Sequence, residues 1–210
     1  MRKSNRLAAL ALSALSLVTA CEDDPTTPPI NPTGKLALLP LTSRVAVLYN
    51  IQYPYDNRRI DVYDELLDLD FTFFLSAGDV DGGLPVQWPR TDELVVTNDL
   101  FISNTQPVPF GPVCRSIRMD LTLENLEWVE IIPEDYAGET WYSTRVGYDF
   151  TFQMEPDDTY NSEPGAKGQF TVRNVGTAEA PLWKLVEWRD LGNDSLATSR
   201  SAISTQELTW

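Results

Sequence analysis

The residues that decide the fold run from Tyr142 to Met154, YSTRVGYDFTFQM. Tyr142, Thr144, Val146, Tyr148, Phe150, Phe152 and Met154 occupy every second position, with Ser143, Arg145, Asp149 and Gln153 among the residues between. A period of two places these sets on opposite faces of a β-strand, and the apolar face needs a layer to cover it. Neighbouring segments read the same way. Ile117, Met119, Leu121 and Leu123 alternate with Arg118, Asp120, Thr122 and Glu124. The apolar phase then switches to Leu126 and Trp128, which predicts a β-bulge at Glu124-Asn125. Phe170–Val172 and Trp183–Leu191 add two more strands. Trp183 and Trp188 are five positions apart, so simple alternation puts them on opposite faces.

Upstream the period lengthens. Leu41, Val45, Leu48 and Gln52 follow helical spacing, with Thr42 or Ser43 as N-cap, and Pro54 is expected to disturb the end of that helix. A short second helix carries Ile60, Tyr63 and Leu67 on one face. Phe71–Ser76 reads as a strand closed by the turn Gly78-Asp79-Val80-Asp81-Gly82-Gly83. Thr91 is the expected cap of a third helix, with Asp92 and Glu93 favouring its macrodipole and Leu94, Asn98, Phe101 and Ile102 facing inward. Helices followed by a run of antiparallel strands make an α+β domain.

The 210 residues hold 16 basic and 31 acidic side chains, a net charge of −15, and no histidine. That balance argues against unaided nucleic-acid binding, and the missing histidine excludes Ser-His-Asp, Cys-His and His-ligated zinc chemistry. Arg2, Lys3 and Arg6 precede an apolar run from Leu7 to Val18, too short to span a bilayer but suited to a signal peptide. Val18-Thr19-Ala20-Cys21 resembles the lipobox of bacterial lipoproteins, which implies cleavage after residue 20 and lipidation of Cys21. The expected location is the bacterial cell envelope, with the acyl chains as the membrane anchor and the choice of inner or outer membrane open. Loss of the signal leaves 13 basic against 31 acidic groups, net −18. Residues 21–34, rich in Pro and Thr, read as a tether, and residues 35–210 as one domain. Cys114, left as the free thiol, reads as a buried structural cysteine.

Tyr49 in the first helix, Tyr63-Asp64-Glu65-Leu66-Leu67 running into Phe71, Trp88, and the closing Trp183-Lys184-Leu185-Val186-Glu187-Trp188-Arg189-Asp190 carry a resemblance. Over roughly residues 41–191 the chain resembles the NTF2-like superfamily, of the SnoaL and ketosteroid-isomerase type. The resemblance implies a cone: N-terminal helices packed in a strongly bent antiparallel sheet. It departs at Pro54, and related lipoproteins continue somewhat beyond the position of Trp210.

The same resemblance implies a pocket inside the cone, for which Tyr49, Tyr63, Trp128, Tyr148 and Phe152 are the candidate lining residues. Tyr49, Tyr63, Asp120 and Asp149 are the groups able to do acid–base work there, but Asp149 is out of phase with the apolar face and no catalytic residue is assigned. Asp79–Gly83 lacks the distal ligands of a calcium loop and reads as a turn. Glu134-Asp135 and Glu155–Asp158 read as solvated loops, and Asn193-Asp194-Ser195 as a chance sequon. No metal site or cofactor is expected. The functional expectation is a non-catalytic, lipid-anchored domain that binds a small apolar ligand or a protein partner. An isomerase or dehydratase with a Tyr–Asp pair and a structural homodimerisation module are the alternatives.

Overall fold

The structure is a computed structural model that describes residues 37–192 apart from 78–79, 81–84, 103–112, 137, 156–158 and 163. The expected lipobox and tether, most of the glycine turn, Pro156–Asp158, the chance sequon and Trp210 lie outside the described residues.

Helix α1 (Arg44–Asn57) starts at Ser43, whose hydroxyl accepts the amide hydrogen of Ala46 at 3.2 Å. Every residue from Val45 to Gln52 is buried. A helix buried on all sides belongs inside a fold rather than on its surface, and α1 is the axis around which the sheet curls. Pro54 does not end it. The helix runs through Asn57 and stops at Arg58, which adopts the left-handed conformation at φ 53°. A proline in the last turn forfeits one hydrogen bond, and burial of Pro54 and Tyr55 beside it offsets that loss.

Helix α2 (Ile60–Leu66) buries Val62, Tyr63 and Leu66. It passes directly into strand β1 (Leu67–Phe74), four residues earlier than the aromatic run at Phe71 suggests. Short β2 (Gln87–Pro89) pairs with β1 and leads into α3 (Arg90–Ile102). Thr91 therefore lies inside the first turn and does not cap the helix. The buried stripe of α3 is Glu93, Thr97 and Phe101; Phe101 and the half-buried Leu94 meet the core as expected, while Ile102 is exposed.

The remaining strands are β3 (Cys114–Thr122), β4 (Val129–Ile131), β5 (Trp141–Met154), β6 (Thr159–Asn161), β7 (Lys167–Asn174) and β8 (Trp183–Gly192). Their order is β2-β1-β8-β7-β5-β3, with β4 and β6 both paired to β5. Strand β5 is the spine: its first half pairs with β4 and β7, its second with β3 and β6. All ladders are antiparallel except β1–β8, which is parallel. The sheet curls strongly around α1, and the α+β cone implied by the NTF2-like resemblance is the fold.

Alternation along β5 holds as read: Tyr142, Val146, Phe150, Phe152 and Met154 pack on the helix side. Between β3 and β4 there is a turn, not a bulge, and Asn125 takes a left-handed φ of 56° there. The bulge lies in β8 instead. The β7–β8 register shifts at Thr171/Val172, where Val172 pairs with Leu185 and Thr171 with Glu187. Val186 is the extra residue, so the phase resets and Trp183 and Trp188 both lie on the helix side.

Side chains of α1 close the sheet's free edge. Asp56 accepts the amide hydrogen of Met119 at 3.0 Å and Gln52 that of Leu121 at 3.1 Å. Arg58 donates to the carbonyls of Leu100, Phe101 and Cys114. The outward amides of Met119 and Leu121 in β3 are thereby satisfied without a further strand.

In the β7–β8 hairpin, a Cβ on Gly176 would collide with the Ala180 carbonyl oxygen and lie 2.7 Å from the Leu182 nitrogen. Backbone atoms cannot swing aside. Gly176→Ala is expected to lower the melting temperature by several degrees, the consequence of a loss of about 1–3 kcal/mol; an unchanged melting temperature would show that this turn opens freely.

Candidate functional site

The concave side of the sheet is filled by the chain's own rings. Tyr55 contacts Tyr63, Phe101 and Phe150 at centroid distances of 5.1–5.4 Å, all edge-to-face. Trp188 lies 4.9 Å from Phe170 and 5.4 Å from Phe73, and stacks on Phe150 at 6.4 Å. Gly168 makes room for it, since a Cβ there would come 3.0 Å from the indole nitrogen and 2.7 Å from the Phe170 ring.

Within this apolar mass sits Glu93, only 4% exposed. Its Oε1 accepts hydrogen bonds from the Tyr63 hydroxyl (2.7 Å) and Thr97 Oγ1 (3.0 Å), and its Oε2 from the Trp88 indole N–H (2.6 Å). Burial raises the Glu93 carboxyl above the usual 4.5, and the three donors pull it part of the way back. The phenol of Tyr63 is pushed well above its ordinary value by burial and by the Glu93 charge. Chemically the cluster can hold a proton in either state. Indole is an obligate donor, but the Tyr63 and Thr97 hydroxyls can turn and accept from a protonated Glu93.

Because the native state holds this proton more tightly than the unfolded chain, the contribution of Glu93 to stability is fully present below pH 4.5. It is lost as the pH rises through the higher native value. Glu93→Gln keeps the shape and removes the titration. The stability advantage of the wild type over this variant is therefore expected to shrink as pH rises across that window, measured by urea unfolding. An advantage that grows with pH would contradict the sign.

Of the expected pocket residues, Tyr63, Tyr148 and Phe152 join one aromatic network through Tyr55, Phe150 and Trp188. Tyr148 also donates to Asp190 at 2.7 Å. Trp128 lies elsewhere, grouped with Tyr142 and Trp183 around the Arg44 guanidinium at 4.3–5.8 Å. Tyr49 is 5% exposed, and its hydroxyl makes no hydrogen bond within the described chain. Asp120 and Asp149 pair directly across β3 and β5 and are both exposed. Cys114 is buried as expected, with an Arg58 nitrogen 3.6 Å from its sulfur. Glu93 escaped the sequence reading because a first-turn acid already had a sufficient explanation in the helix dipole. The signal was its i, i+4, i+8 stripe with Thr97 and Phe101.

The convex side is different. Arg145, Gln169 and Arg189 form one lateral row across β5, β7 and β8, with Ser143, Thr171 and Glu187 in the next row. They floor a groove of two lobes, about 470 and 450 Å³, which share Ile131 and Gln169. Arg189 is fixed by Glu187 at 3.1 and 3.2 Å and lies over the Phe74 ring at 3.7 Å. The apolar rim includes Val129 and Pro133. Among the described residues no group of three or more acidic or Cys side chains is placed to hold a metal ion, and no helix is long and apolar enough to cross a membrane.

The class these features define is an α+β cone with a filled interior and a grooved outer sheet. No family model matches the chain, and no curated protein does. Solved structures align with parts of it. An NTF2-like superfamily protein from Salmonella enterica serovar Typhimurium aligns at 8% identity and a TM-score of 0.43, over 75% of this chain and 90% of that one. An NTF2-like protein "of unknown function in nutrient uptake" from Rhodospirillum rubrum aligns at 13% identity and a TM-score of 0.45, over 71% and 98%. A conserved protein from Planctomyces limnophilus aligns at 13% and 0.47, over 70% and 91%. The α+β cone itself is read from the chain's own elements and strand order.

Proposed function

We propose that this protein is a lipid-anchored, non-catalytic binding module of the bacterial cell envelope, which takes a protein partner on the outer face of its sheet. One observation carries the reading: the concave side, where a ligand pocket was expected, is occupied by the aromatic network of Tyr55, Phe150 and Trp188. The open groove lies on the convex side. A groove with a charged row and an apolar rim suits a peptide surface. A second copy of the chain is one such partner, since Arg145 and Arg189 with Glu127 and Glu187 give this face both signs of charge.

The test is photocrosslinking in the bacterium that makes the protein, with the reactive side chain at position 129 or 145 and, as control, at exposed Val95 on α3. Discrete adducts from 129 and 145 and none from 95 are expected. An adduct of twice the protein's mass assigns the second copy. No adduct from the groove positions refutes the reading.

Acid–base catalysis has its own observation, the Tyr63–Glu93 pair with its raised carboxyl. It requires Glu93, with three donors already on it, to reach a substrate. Turnover of an enolisable ketone that Glu93→Gln abolishes would favour it over binding alone.

A further inference from the structure

From the middle of α1, where Leu39 exchanges hydrogen bonds with the Asn50 side chain, the chain runs to one end of the cone. The first described residues lead to Leu41, whose carbonyl accepts the amide hydrogen of Trp183 at 2.8 Å. The starts of β5 and β8 and the end of β7 meet there, because Trp141 pairs with Arg173 and Trp183 with Asn174. The end of β4 joins them, since Ile131 pairs with Trp141. At this end the loops expose Ile132 (75%), Val175 (44%) and Leu182 (41%). Directly beneath them the Arg44 guanidinium is ringed by Trp128, Tyr142 and Trp183. Aliphatic tips above indole, phenol and guanidinium reproduce the layering of side chains that settle at a membrane–water interface.

We infer that this end of the domain rests on the lipid surface, with Ile132, Val175 and Leu182 dipping into the headgroup region. The inference rests on the lipid-anchor reading. The segment from the lipidated residue to the domain covers positions 22–36, and Pro-rich chain reaches about 3.1 Å per residue. The anchor therefore holds the domain within roughly 50 Å of the bilayer, where even a weak apolar contact is favoured by the high local concentration of lipid. Glu134, Asp135 and Glu179 are exposed on the same loops, so the fitting surface is rich in zwitterionic lipid. A strongly anionic bilayer would repel it.

The test uses the full lipidated chain in phosphatidylethanolamine/phosphatidylglycerol vesicles with brominated acyl chains, and reads quenching of tryptophan emission after flotation. Wild type should float and be quenched. Ile132→Asp/Leu182→Asp should float equally and lose at least half of the quenching. Val95→Asp on α3 should retain it, and a higher phosphatidylglycerol fraction should reduce it. All substituted positions are exposed, and circular dichroism confirms folding of each variant. Wild type that floats unquenched, or quenching identical in the double variant, overturns the docking. Wild type that does not float overturns the anchor itself, and the docking with it.

Discussion

Arg173→Ala is expected to destabilise the domain by about 3–5 kcal/mol, a large share of the 5–15 kcal/mol typical of a whole domain. The Arg173 guanidinium reaches from β7 across β8 to β1. There it contacts both oxygens of Asp68 at 2.6 and 2.8 Å and Asp70 at 2.9 Å. Glu139 approaches to 3.3 Å, and the rings of Tyr136 and Trp141 lie 5.3 and 5.6 Å from the guanidinium. The Asp68 side chain is only 2% exposed. Removing the arginine leaves a buried carboxylate without its counter-charge, which costs far more than the pair contributes. The double variant Asp68→Asn/Arg173→Met should regain most of the loss, because both buried charges are gone. Urea unfolding of the single and double variants measures this. A single variant within 1 kcal/mol of wild type would mean that water reaches Asp68.

Glu93→Leu should have the second large effect, about 3 kcal/mol or more, while Glu93→Gln should cost less than about 1.5 kcal/mol. Leucine strands three donors at once, those of Tyr63, Trp88 and Thr97, in a site with little solvent. Glutamine can present its carbonyl to Trp88 and its amide to the two hydroxyls, which accept as well as donate. Equal losses for the two variants would show that volume at this position matters and the hydrogen-bonding pattern does not.

The two predictions mark where the sequence was legible and where it was not. Strand β5 could be read because its alternation is uninterrupted over its whole length and one face meets the helices. Trp183 and Trp188 could not be placed by counting, because Val186 inserts an extra residue that only the pairing with β7 reveals. Strand β1 begins at Leu67, but its buried Asp68 and its Leu69, 85% exposed, invert the pattern that marks a strand. The inversion makes sense only with Arg173, distant in sequence, in view. The fold class was legible because periodicity and element order are local properties, and the resemblance supplied the cone. The site was legible in part. Tyr63 was singled out, but its partner Glu93 had a sufficient local explanation, and the filling of the cone by Trp188 depends on contacts between strands remote in sequence. The groove on the outer face could not be seen at all, since it arises from the lateral alignment of Arg145, Gln169 and Arg189 on three strands.

The proposed function requires Cys21 to hold the protein at a membrane, where its domain meets a partner. The most direct measurement is the intact mass of the mature protein extracted from the membranes of the bacterium that makes it. The expected result is a chain beginning at Cys21 with the added mass of its acyl groups, and a Cys21→Ser chain without that mass that leaves the membrane fraction. A wild-type chain that begins at another residue, or carries no lipid, would contradict the account.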